Sequence, residues 1–149
     1  MKPLDPFNLD LDRTTLIEAS AGTGKTYTIT TLYCRLIAQG IAVESILVVT
    51  FTEAASAELK LRIRQRISAT LDKLLQLEAE AEDDLVRFFR HSADKALVCR
   101  RLSLALTCFD QASILTIHAF CLSMLKENAF ECQYPFDVQL MPDRSVFLT

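Results

Sequence analysis

Ala19-Ser20-Ala21-Gly22-Thr23-Gly24-Lys25-Thr26 sets small residues, glycines, a lysine and a hydroxyl in an order that can grip phosphate. The chain has only three glycines, and two of them, Gly22 and Gly24, fall in this stretch. Glycine lets the backbone curl until successive N–H groups converge on one anion. A helix starting at Lys25 would add the attraction of its positive end. Lys25 is then placed to reach the β- and γ-phosphates of a nucleotide, and the Thr26 hydroxyl to ligate magnesium. Ala19 departs from the strict pattern, which has glycine there. A Ser/Gly-rich turn with a helix-capping threonine is the plainer alternative, and the flanking pattern argues against it.

That flanking pattern is a set of elements able to hold such a loop. Residues 1–13, with two prolines and alternating acids, read as an irregular lead-in. Thr14 to Ala19, around Leu16-Ile17, is expected to be a short strand. From Lys25 to Gln39 the apolar residues Ile29, Leu32, Tyr33, Leu36 and Ile37 recur at helical spacing, and Gly40 is a stop. Ile46 to Phe51 is continuously apolar and β-branched, the mark of a parallel strand covered on both faces. A long helix follows, with Leu59, Ile63, Ile67, Leu71 and Leu74 as its buried stripe and Lys60, Arg62, Arg64, Arg66 and Lys73 elsewhere around it. The acidic run 78–84 reads as a solvated connection or an exposed helix start. Helices over 84–90 and 94–106, a β-prone run over 113–117 and a helix over 118–128 complete the order. This is an α/β layer plan: a mainly parallel sheet flanked by helices.

Composition removes several classes. Half the residues are hydrophobic and 23% are charged, so a folded core is expected and disorder is not. A net charge of −3 means that any nucleic-acid surface must be local. Cysteines at 34, 99, 108, 121 and 132 form no C-x-x-C pair and no zinc spacing. They read as small buried hydrophobes or free thiols of a reducing compartment. The first residues lack the apolar core of a signal peptide, and no apolar run is long enough to span a membrane. A cytoplasmic protein is expected.

Two further segments end a strand and open a helix. In an open parallel sheet that edge is where ligands bind. In Val48-Val49-Thr50-Phe51-Thr52-Glu53-Ala54-Ala55, Phe51 can stack on a base and Thr52 can grip a phosphate. Equally, Phe51 can be core and Thr52 a helix cap. In Leu115-Thr116-Ile117-His118-Ala119-Phe120-Cys121, His118 reaches the same edge. It either meets a phosphate or base, or is a structural cap. The other histidine, His91, has no supporting motif, and no Ser-His-Asp or Cys-His set is present.

Taken in order, the three segments resemble motif I, motif Ia and the next DNA-contact motif of the UvrD/RecB-like superfamily-1 DNA helicases. Glu53-Ala54, Leu16-Ile17-Glu18 and Asn128-Ala129-Phe130-Glu131 are similar to the RecB branch, whose members are helicase–nuclease subunits of exodeoxyribonuclease V type. The resemblance covers nearly the whole chain in scattered blocks. It implies a partial RecA-like P-loop NTPase lobe, with residues 72–110 as a helical insertion. It implies that Ala19, Ser20, Ala21, Gly22, Thr23, Gly24, Lys25 and Thr26 hold Mg-ATP. Lys25 and Thr26 would be catalytic, with Thr26 on the metal, and Phe51, Thr52 and His118 would touch single-stranded DNA. The implied cofactors are ATP and Mg2+. The implied partners are DNA ends and RecC- and RecD-like subunits, in double-strand break repair and recombination. The glutamine with which many relatives read adenine is not recognisable in residues 1–15. No Asp-Glu motif II follows, so the chain is expected to be an N-terminal piece that does not hydrolyse ATP alone and can self-associate through an open sheet edge.

Two other classes fit the loop. A small nucleotide or metabolite kinase would need a mobile arginine-bearing lid, for which Arg100-Arg101 is the only hint. A binding module with a degenerate site would not need the intact Gly24, Lys25 and Thr26.

Overall fold

The computed structural model describes residues 4–18, 20, 22, 24–76, 83–129 and 131. Their order is α1 (Lys25–Gln39), β1 (Leu47–Thr50), α2 (Glu53–Leu75), α3 (Asp84–Arg90), α4 (Lys95–Thr107), β2 (Ser113–Thr116) and α5 (Ile117–Glu127). Single 3-10 turns lie at Val43–Ser45 and Phe109–Gln111.

Local chemistry accounts for the helix ends. Thr52, Asp83, Asp94 and Thr116 cap α2, α3, α4 and α5, each side chain accepting a backbone N–H of the first turn. α1 ends at Gly40, whose φ of 102° is left-handed. The Gly40 N–H donates to Ile37 O at 2.9 Å and the Ile41 N–H to Leu36 O at 3.1 Å, the paired bonds of a Schellman stop.

The strands run parallel and in register, Leu47 opposite Ser113 through Thr50 opposite Thr116. α2 packs against both strands and against α1, α3 and α4, which makes it the central helix. Its expected stripe holds: Ile63, Ile67 and Leu74 are fully buried, with Leu59 and Leu71 packed beside them. Tyr33, Cys34 and Ile37 of α1, Phe89 of α3, Leu102 of α4 and Ile114 of β2 complete one core. Residues 72–110 supply part of it, with Leu85, Val86, Val98 and Phe109 also buried. α5 buries no residue fully. The whole is a mixed α/β unit with a short parallel sheet flanked by helices.

The structure departs from the sequence reading in four places. Residues 14–18 form no strand. A strand is held by its ladder, the sheet of the described residues contains only β1 and β2, and Leu16 is 84% exposed. Among the described residues β1 is covered on one face only: α2 packs on one side, while Leu47 and Val49 on the other are 45% and 42% exposed. On α1, Ile29 is turned outward, and Thr31, Cys34 and Arg35 take the inner positions. The acidic run is not wholly solvated, although its residues 78–82 lie outside the described part. Asp83 is mostly buried and takes both terminal nitrogens of Arg66, one at 2.9 Å.

The irregular lead-in is fastened to α1. Arg35, 9% exposed, donates to Pro6 O at 2.5 Å and Leu9 O at 3.0 Å, and its guanidinium lies over the Phe88 ring. Phe88 in turn packs on Phe7, centroids 5.4 Å apart. Burial of this guanidinium lowers its pKa, and the neighbouring Asp5 charge opposes that.

Candidate nucleotide loop and nucleic-acid edge

Both loop glycines have backbones that other residues rarely adopt. Gly22 and Gly24 have φ of 79° and 86°. A Cβ built on either would meet nothing within 4 Å, so torsion alone, not crowding, requires glycine there. Gly24 is also the N-cap of α1 and offers no side-chain bond to the first turn. No N-cap side chain therefore competes with an outside anion for the first-turn N–H groups of α1. Lys25 Nζ donates to Ser20 O at 2.8 Å, which holds the ammonium over the loop. Thr26, half-buried, follows it. Ala19, Ala21 and Thr23 lie outside the described residues.

Beyond the loop, Tyr27 leans on α2 with the Arg66 guanidinium 5.2 Å from its ring centroid. An open cleft between the helices is lined by Thr26, Tyr27, Thr30, Arg62, Gln65 and Arg66. At 1.5 Å per residue, Arg66 lies about 20 Å along α2 from Glu53. The loop end of α1 thus faces the middle of α2.

The second cluster forms where β1 and β2 end side by side. Phe51 is 84% exposed, so it is not a core residue in this structure. Thr52 is exposed and is a cap, its Oγ1 accepting the Ala55 N–H at 3.1 Å while its own O–H remains a donor. His118 is exposed in the first turn of α5. The cap of that helix is Thr116, whose Oγ1 accepts the Ala119 N–H at 3.2 Å, and not His118. Because Thr50 and Thr116 are paired, the junctions carrying Phe51-Thr52 and His118 are neighbours. The N termini of α2 and α5 both open on this edge, which favours an anion there.

Glu53 entered the sequence reading only as a mark of likeness. In the structure its Oε1 accepts the Thr116 hydroxyl at 2.9 Å, joining the two junctions. The signal was weak: each strand closes on a threonine. Cys34 is enclosed, and burial pushes its thiol up to about 12. Cys99 and Cys108 are half-buried and Cys121 is exposed; Cys132 lies outside the described residues. Among the described residues no group of three His, Cys, Asp or Glu side chains can hold a metal, and no helix is long and apolar enough to cross a membrane.

The kinase alternative loses Arg101 from its Arg100-Arg101 hint. Arg101 Nη1 donates to Ala38 O at 2.6 Å, closing the end of α1 remote from the loop, where it cannot act as a lid over phosphate.

The fold is a mixed α/β unit with a short parallel sheet flanked by helices, consistent with a partial RecA-like helicase lobe. The chain belongs to the UvrD/REP helicase N-terminal domain family, whose model matches residues 4–146. It is similar to the RecBCD enzyme subunit RecB of Haemophilus influenzae, 42% identical over 98% of this chain. It is also similar to the protein of that name from Escherichia coli, at 44% over 96%, and from Mycolicibacterium smegmatis, at 43% over 76%. The aligned part spans only 13%, 13% and 10% of those three proteins.

Proposed function

We propose that this chain is the ATP-binding, N-terminal part of the first RecA-like motor lobe of an ATP-dependent DNA helicase–nuclease subunit of RecB type. Residues 72–110 are a helical insertion in that lobe. The observation that carries the proposal is the uncapped start of α1, behind glycines in the left-handed region, with Lys25 drawn over it.

That loop fits Mg-ATP. The amides of Gly22, Gly24, Lys25 and Thr26 suit the phosphate chain, and the Lys25 ammonium suits its outer phosphates. Thr26 contributes one hydroxyl to Mg2+, which when bound would neutralise charge on the phosphates. Lys25 and Thr26 are the catalytic candidates, and residues 19–24 are the cradle. Phe51 offers a face on which a base can stack, Thr52 a donor to a phosphate, and His118 a further polar contact. In the whole protein, nucleotide-driven closing and reopening of two lobes would convert alternating grips on DNA into steps.

The RecB relatives are named as subunits of a RecBCD enzyme. By that likeness RecC- and RecD-like subunits and DNA ends are the partners, the setting is double-strand break repair and recombination, and the compartment is the cytoplasm. By itself the chain is not expected to hydrolyse ATP, and the edges that β1 and β2 leave open among the described residues favour self-association.

The test is Lys25→Ala in the full-length protein that carries this chain. DNA-stimulated ATP hydrolysis should fall about a hundredfold or more, the scale of losing one transition-state charge contact. Turnover at the unaltered rate would remove the assignment.

A further inference from the structure

Both strands end on threonine, and both hydroxyls reach the first turn of α2. Thr50 Oγ1 donates to Thr52 O at 3.1 Å and is hydrogen-bonded to Ser56 Oγ. Thr116 accepts the Ala119 N–H and donates to Glu53, a residue 63 positions away in the sequence. Thr116 is 4% exposed and Ser56 6%, so the bonds of Thr116 to Glu53 and of Thr50 to Ser56 are part-buried.

We infer that Glu53 is a positioning residue for the nucleic-acid edge: through Thr116 it locks the β2–α5 junction onto the start of α2, so that Phe51, Thr52 and His118 are presented as one surface. The inference rests on the reading that this edge meets DNA.

Charge sharpens the case. Glu53 is an exposed carboxylate beside a surface proposed to receive a polyanion. As a bare charge it repels that ligand. What it contributes is an acceptor for the O–H of Thr116, whose oxygen already accepts the Ala119 N–H, so that the donor of a buried hydroxyl is not left unmatched. The two roles give opposite signs on substitution. If charge alone mattered, Glu53→Ala and Glu53→Gln would both tighten binding. If Glu53 positions the junctions, Glu53→Ala weakens binding, while Glu53→Gln, which keeps a carbonyl acceptor, binds as tightly as the parent or tighter.

The experiment uses the full-length protein and a fluorescent oligo-dT strand, with melting temperature as a check on folding. Direct affinity is measured, together with the strand concentration that half-stimulates ATP hydrolysis. Glu53→Ala should weaken both roughly five- to tenfold, the scale of one ordinary solvent-accessible hydrogen bond, and leave kcat at saturating DNA unchanged. Thr116→Val should weaken them at least as much, and the double variant Glu53→Ala/Thr116→Val no more than Thr116→Val. Thr116→Ser should retain parent affinity. If Glu53→Ala does not fold, the Thr116→Val and Thr116→Ser pair decides. Tighter binding by Glu53→Ala, additive losses in the double variant, or equal affinity of the valine and serine variants would overturn the inference. Phe51→Ala and His118→Ala form a separate arm. Unchanged DNA affinity in both removes the edge reading, and the inference with it, whatever Glu53 does.

Discussion

Gly24→Ala isolates what the phosphate loop asks of its backbone. Gly24 sits at φ 86°, and an added Cβ meets no atom within 4 Å. Crowding therefore contributes nothing, and the cost is the torsional one of holding alanine in the left-handed region, about 1–2 kcal/mol. The Gly24 backbone also sets the direction of the first N–H groups of α1, so the loop population able to receive phosphate falls by the same free energy. With a factor of ten for each ~1.4 kcal/mol, nucleotide affinity should drop about 5- to 30-fold. Gly24→Asn, a residue that enters this region more readily, should lose less. The assay is a titration with a fluorescent ATP analogue, with denaturant unfolding in parallel. Because Gly24 is exposed, unfolding free energy should change by no more than the torsional cost. Alanine binding as tightly as glycine, or asparagine binding worse than alanine, would refute the reasoning.

Gly40→Ala should destabilise more than Gly24→Ala, because its Cβ would come within 3.0 Å of Arg101 Nη2 as well as facing φ 102°. Urea unfolding of Gly40→Ala, Arg101→Ala and the double variant should show that the excess disappears once Arg101 is removed. Asp83 gives an acid-side test. Burial alone would raise its pKa, but the Arg66 hydrogen bonds and charge, the Leu85 N–H and Lys73 outweigh that and hold it below 3.8. Since the folded value lies below the unfolded one, its stabilisation is present at neutral pH and lost as pH falls below about 4. Melting temperature against pH should therefore fall less steeply there for Asp83→Asn than for the parent. Cys34 gives the opposite limb: burial pushes its thiol up to about 12, above the ordinary 9.0. Its contribution is intact below pH 9 and declines as pH rises through that interval, and in native maleimide labelling Cys121 should react well before Cys34.

How much the sequence disclosed depended on the range of the forces. The helices were legible within a residue or two at most ends, because caps such as Asp94 and the stop at Gly40 are written locally. The lead-in strand was not, because Leu16-Ile17 looks like strand whether or not a neighbour supplies a ladder. The open face at Leu47 and Val49 was hidden for the same reason: apolar composition does not say what covers it. At the candidate sites the loop residues and the strand-end positions could be found by type and spacing. The bonds that fasten them could not. Glu53 to Thr116 and Arg66 to Asp83 join residues 63 and 17 apart, and nothing local marks either pair. The capping role of Thr52 was one of two readings, and the structure shows it beside an exposed Phe51 that could have been core.

The central claim is that the curl ahead of α1 receives a triphosphate. Its most direct test is a backbone amide NMR titration of the isotope-labelled protein with Mg-ATP, repeated on Lys25→Ala. The account predicts saturable shifts concentrated on Gly22, Gly24, Lys25, Thr26 and Tyr27, strongly weakened in the variant. Amides of the loop that stay still while shifts gather elsewhere, for example around Glu44 and Arg101, would contradict it.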